Sequence, residues 1–89
     1  MKSIERKKLK AQAHALNPVV MIGQAGLTEA VLSEIDVALN CHELIKIRIR
    51  AERPERKQMS DKICEETGAD LIQSIGQIAV IYRFNPKKH

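Results

Sequence analysis

The residues best placed to do chemistry are the two glycines of Gly23-Gln24-Ala25-Gly26, which stand between an apolar run, Val19-Val20-Met21-Ile22, and a helical pattern that opens at Thr28. Glycine lets a backbone turn through positive φ and lets a ligand come close to the chain, while the first amides of a helix lack intrahelical acceptors. A strand, a GxxG turn and a helix start in that order therefore suit a phosphate group. Spacing alone leaves a second reading open, a tight strand-to-helix turn capped by Thr28 with nothing bound. Glu29 in the first helical turn can satisfy the helix dipole itself, and neither Gln24 nor Ala25 is cationic, so the loop alone should bind weakly.

Affinity for an anion would then have to come from lysines and arginines elsewhere, and their distribution is blocked. The 15 Lys and Arg residues exceed the 11 acids only modestly. Residues 1–15 carry Lys2, Arg6, Lys7, Lys8 and Lys10 against Glu5 alone, whereas residues 16–43 have no Lys or Arg. A second basic block, Lys46 to Lys62, is followed by the acidic stretch around Glu65, Glu66 and Asp70 and then by Arg83, Lys87 and Lys88. Within these blocks Arg6, Lys7, Lys10 and His14 fall on one arc of a helix, and Lys46, Arg48 and Arg50 alternate with Ile45, Ile47 and Ile49 along a strand. Basic blocks that converge in space attract polyanions. Tyr82 and Phe84 are the only aromatic residues, too few for a base-stacking platform, so a nucleic acid would be recognised by backbone and shape.

Other chemistry finds little support. Cys41 and His42 are adjacent and point different ways, His14 belongs to the basic stripe, and His89 is terminal. Cys41 and Cys64 lack CxxC spacing and are expected as reduced, buried thiols. No catalytic or metal-ligating set, no cofactor and no small-molecule substrate is expected.

The elements that must position these residues follow from periodicity. A basic-striped helix ends at Asn17-Pro18, because the residue before proline is pushed out of helical geometry. Val19 to Ile22 is expected as a buried strand and the segment after Thr28 as a helix burying Val31, Ile35 and Ala38. Leu44 to Arg50 reads as a strand with one dry face and one wet, basic face. A third helix runs to Thr67 with Met59, Ile63 and Cys64 inward and Gly68 as its stop. Ala69–Ile75 and Ile78–Phe84 form a hairpin across Gly76-Gln77. The order αβαβαββ predicts an α/β fold, a two-layer sandwich with a four-stranded mixed sheet. Parallel pairings are expected early in the chain, with helices mainly on one face. At 89 residues, residues 1–89 read as one domain. With no apolar run near the roughly 20 residues of a membrane span, and no export signal, a cytoplasmic protein without a membrane partner is expected.

Three motifs in order, Ile22-Gly23-Gln24-Ala25-Gly26-Leu27-Thr28, then His42-Glu43-Leu44-Ile45-Lys46, then Ile75-Gly76 ahead of Val80-Ile81-Tyr82-Arg83, resemble the CRM (chloroplast RNA splicing and ribosome maturation) domain over Leu9 to Arg83. In size the chain is similar to the stand-alone bacterial, YhbY-type members. The resemblance implies a fold similar to the C-terminal domain of bacterial translation initiation factor three, and a partner in RNA, specifically ribosomal RNA of large-subunit precursors. By the same resemblance Gly23 and Gly26 frame an RNA-contacting loop. Gln24 supplies an amide at its tip and Ala25 only backbone. Thr28, Arg6, Lys7, Lys10, Lys46, Arg48 and Arg50 complete the expected contacts. The competing expectation is a protein-interaction module using the basic sheet face or an edge strand.

Overall fold

A computed structural model describes residues 3–89, so Lys2 of the first basic block lies outside the described residues. The elements are α1 (Ser3–Ala13), β1 (Pro18–Ile22), α2 (Glu29–His42), β2 (Leu44–Ile49), α3 (Arg53–Thr67), β3 (Asp70–Ile75) and β4 (Ile78–Tyr82), followed by a short 3-10 turn, Pro86–Lys88. The expected order αβαβαββ is the one observed. Helix α1 ends sooner than Asn17-Pro18 alone implies: after Ala13 the chain tightens into three i→i+3 turns through Leu16, which leaves His14 just past the helix.

The four strands form one mixed sheet in the order β1-β2-β4-β3. β1 and β2 are parallel; β4 is antiparallel to both β2 and β3. Only one parallel pairing results, because β4 inserts between β2 and β3. The sequence gives the reason. Ala79, Val80 and Ile81 are apolar towards both faces and need the centre of the sheet, whereas Asp70, Gln73 and Ser74 of β3 tolerate an edge. Gly76, with φ +53, occupies the first position of the two-residue hairpin turn.

The principal core lies between the sheet and the α2/α3 layer. Ile22, Ile45, Ile47, Ile49 and Ile81 from the strands meet Ile35 and Leu39 of α2 and Ile63 of α3. Each such side chain contributes roughly 1.5–3 kcal/mol on leaving water. Met59 and Cys64 are only partly buried beside this core, and Ser60 is the buried residue of that helical turn. Gly68 at φ +73 stops α3 as expected, its N–H donating to the Cys64 carbonyl at 2.9 Å.

The other face of the sheet is covered in part by α1. Leu9 and Ala13 rest on Leu44, Ile72, Val80 and Tyr82. This corrects the expectation of one fully wet face: Lys46 and Arg48 are half-buried and only Arg50 is exposed, because β4 is apolar on this side too and requires a cover. Edge strand β1 extends beyond that cover, so Val19 and Met21 stay 50% and 53% exposed and the strand is buried on one face only. Cys41 departs from expectation as well, lying exposed in the last turn of α2, while burial pushes the Cys64 thiol up, with Asp70 and Asp61 adding to the shift.

Candidate nucleic-acid interface

The GxxG segment is a tight turn. The Gly26 N–H donates to the Gly23 carbonyl at 3.0 Å, with Gln24 and Ala25 exposed at the tip. The two glycines have different reasons to be glycine. Gly26 has φ +75, which a side chain resists, and a Cβ there would stand 4.0 Å from the Met59 methyl beneath the loop. Gly23 has no such φ, and a Cβ built on it meets nothing within 4 Å. The fold itself therefore makes no demand for glycine at 23. Thr28 caps α2 as expected, its Oγ1 accepting from the Val31 N–H at 3.2 Å.

Because β1 and β2 are parallel, their C-terminal ends and the helix starts that follow open on the same side of the molecule. Arg48 pairs with Met21, and the Arg50 N–H donates to the Ile22 carbonyl at 3.0 Å, which puts both arginines on the rungs that lead into Gly23. Lys46 pairs with Pro18 at the far end of β1, roughly 13 Å of strand from Arg50. Among the described residues the side chains of Lys46, Arg48 and Arg50 have no hydrogen-bond or ion-pair partner. Lys46 and Arg48 are half-buried and Arg50, just past the end of β2, is exposed.

The cations of α1 are divided by the structure. Arg6 donates to the carbonyls of Leu71 and Ile72, the latter at 3.5 Å, where a β-bulge in β3 disturbs the ladder to β4. It acts as a clamp between helix and sheet edge, away from the loop. Lys7 is exposed. Lys10 and His14 line a groove between α1 and the sheet that also receives Lys46. The geometry thus brings Arg48 and Arg50 to the glycine loop, gathers Lys10 and Lys46 in an adjoining groove, and leaves Arg6 in a packing role.

Arg53 was absent from the sequence-based set although it opens α3 only three residues after Arg50 and is exposed at the loop end. The signal was available, since a parallel βαβ unit forces both strand-to-helix loops to one end. Arg56 and Lys57 are less available, Arg56 donating to the Ala51 carbonyl at 2.8 Å and Lys57 pairing with Asp61 at 3.4 Å. Tyr82 is half-buried on the α1 side, its hydroxyl pushed up chiefly by burial and further by Glu43 and Glu5.

With this geometry in view, comparison with known proteins places the chain. Residues 1–83 match the family model of the CRS1 / YhbY (CRM) domain. A probable RNA-binding protein of Pseudomonas aeruginosa is 46% identical over 84 residues, covering 93% of this chain and 81% of its own. An RNA-binding protein of Haemophilus influenzae is 51% identical over 80 residues, covering 89% and 81%. The solution structure of a hypothetical protein from Staphylococcus aureus superposes with a TM-score of 0.84 at 30% identity, over 96% of this chain and 90% of that one. The motifs at Gly23–Gly26, His42–Lys46 and Val80–Arg83 thus sit in the fold and family they resemble, and this chain belongs to the CRS1/YhbY (CRM) domain family.

Proposed function

We propose that residues 1–89 act as one non-catalytic RNA-binding unit whose grip is the Gly23–Gly26 loop together with Arg48, Arg50 and Arg53, extended by Lys46, Lys10 and Lys7. The observation that carries this reading is the pair of arginines, without partners among the described residues, on the rungs entering a loop whose first glycine the fold does not require. Free cations beside a close-approach backbone suit phosphates, and each contact made releases counterions. The names of the relatives support RNA as the polyanion. The family resemblance supports ribosomal RNA of large-subunit precursors as its source.

Both sheet edges weigh against strand addition by a protein partner. β1 carries Pro18 and a bulge at Val19, and β3 carries the bulge on which Arg6 is seated. The test is sedimentation of cell lysate through a sucrose gradient, following wild type, Arg48→Ala/Arg50→Ala and Gly23→Asp. Gly23 is a cleaner probe than Gly26, where positive φ would confound binding with folding. Migration of wild type with large-subunit precursors, lost in both folded variants and on RNase treatment, is the expected result. A complex that survives RNase, or wild type that remains at the top of the gradient, overturns the ribosomal assignment.

A further inference from the structure

The groove between α1 and the sheet has a composition that phosphate binding alone does not explain. Its rim carries Lys10, His14 and Lys46, and no carboxylate lines it. Its floor is aliphatic: Ile75 and Ile78 are open to it, with Ala13 and Val80 buried beneath. Ile75 is 57% exposed although it is among the larger apolar side chains of the chain. The bulge in β3 leaves Ile72 packed under α1 and pairs the next residue, Gln73, with Val80, so that Gln73 also lines the groove. Among the described residues the half-buried Gln73 amide has no hydrogen-bond partner. An apolar floor, an amide that can both donate and accept, and a cationic rim match the three parts of one nucleotide.

Size and continuity narrow the occupant. The groove holds about 180 Å³, below the roughly 300–1,000 Å³ of sites for drug-sized ligands and suited to a single base. Ile78 pairs with both Arg48 and Ile75, and Arg48 pairs with Met21, so one cross-sheet row joins the groove floor to the strand that enters the glycine loop. We infer that the groove holds one unstacked base of a single-stranded RNA, its face on Ile75 and Ile78, its edge on Gln73 and its phosphate between Lys10 and Lys46. The inference rests on the RNA-binding reading and adds a base-reading site to a surface otherwise suited to backbone alone.

The experiment compares the whole chain's affinity for three probes: an eight-nucleotide oligouridylate, an abasic oligomer with the same phosphates, and an RNA duplex. Wild type is expected to favour the oligouridylate over the abasic strand by about tenfold. The variant Gln73→Ala/Ile75→Ala, both positions lying on an edge strand outside the main core, should bring that ratio close to one while leaving abasic affinity unchanged. Carbon-13 methyl spectra of Ile75, Ile78 and Val80 should shift with the oligouridylate and stay fixed with the abasic strand. Equal affinity for the two strands, or a variant that weakens both alike, overturns the base site and leaves RNA binding standing. Binding of duplex alone does the same. Methyl shifts with an acidic, aromatic peptide and none with RNA would assign the groove to a protein partner. No binding to any RNA would remove the broader reading and the groove with it.

Discussion

At the tail end of the molecule Arg83 donates to the Asp36 carboxylate at 2.7 Å, the Thr67 carbonyl at 2.8 Å and Asn40 Oδ1 at 2.9 Å. Lys88 donates to the Cys41 carbonyl, and His89 pairs with Glu43. At the loop end Arg48 and Arg50 have no such partners among the described residues. Both ends read as basic in the sequence, yet at one Arg83 and Lys88 hold the chain together and at the other Arg48 and Arg50 are left for something else. A cation already bonded to internal acceptors contributes to folding and would have to break those bonds to meet a phosphate. Unpartnered cations, more than basic content, mark the surface proposed to meet RNA.

The comparison breaks first at the loop end. Reversing both charges, Arg48→Glu/Arg50→Glu, should weaken binding to a single-stranded RNA about 100-fold at moderate salt while shifting the urea midpoint little, since neither side chain supports the fold. Arg83→Ala should do the opposite. Loss of its hydrogen bonds should cost about 2 kcal/mol in urea unfolding and leave the RNA affinity of the folded fraction unchanged.

The glycines sharpen the contrast on a smaller scale. Gly26→Ala should cost about 1 kcal/mol of stability because φ +75 disfavours a side chain. Gly23→Ala should leave the unfolding midpoint in place and weaken RNA binding by a few-fold, read by fluorescence anisotropy, because its Cβ obstructs only a ligand.

The smallest expected effect is of pH at the tail. The backbone N–H of Asn85, donating to Glu43 at 2.7 Å, lowers the Glu43 carboxyl below its ordinary value despite opposing desolvation, with His89 and Lys88 adding to the lowering. A lowered carboxylate contributes stability that is full above its unfolded value and is lost as pH falls through the folded one. Protection of the Asn85 amide against exchange, taken relative to the intrinsic rate at each pH, should therefore fall on acidification through and below the usual carboxylate range, and Glu43→Gln should remove that step.

Much of the fold was legible because periodicity reports burial. The Ile45/Ile47/Ile49 alternation, the Thr28 cap and the Gly68 stop each act through neighbours close in sequence. The insertion of β4 between β2 and β3 was not legible as a pairing, since it depends on which strand needs two dry faces. Nor was the cover that α1 gives to Lys46 and Arg48, because a basic alternation on one strand says nothing of apolar neighbours on the next. The expected contacts Arg48 and Arg50 lie beside the loop, whereas Arg6 does not, because the β3 bulge that engages it is formed by residues 65 positions away. Gln73 was missed for the same reason, since a bulge sets its face, whereas the place of Arg53 at the loop end follows from the parallel pairing that the sequence does predict.

The most direct measurement is the salt dependence of binding to one single-stranded RNA for wild type, Arg48→Ala/Arg50→Ala and the folded fraction of Arg83→Ala/Lys88→Ala, the two variants losing equal charge. With about 0.7 in log–log slope per phosphate contact, the loop-end variant should flatten the slope by roughly 1.4 and the tail variant should leave it unchanged. Equal flattening by both would mean that net charge alone sets the affinity, and would contradict the interface placed at the glycine loop.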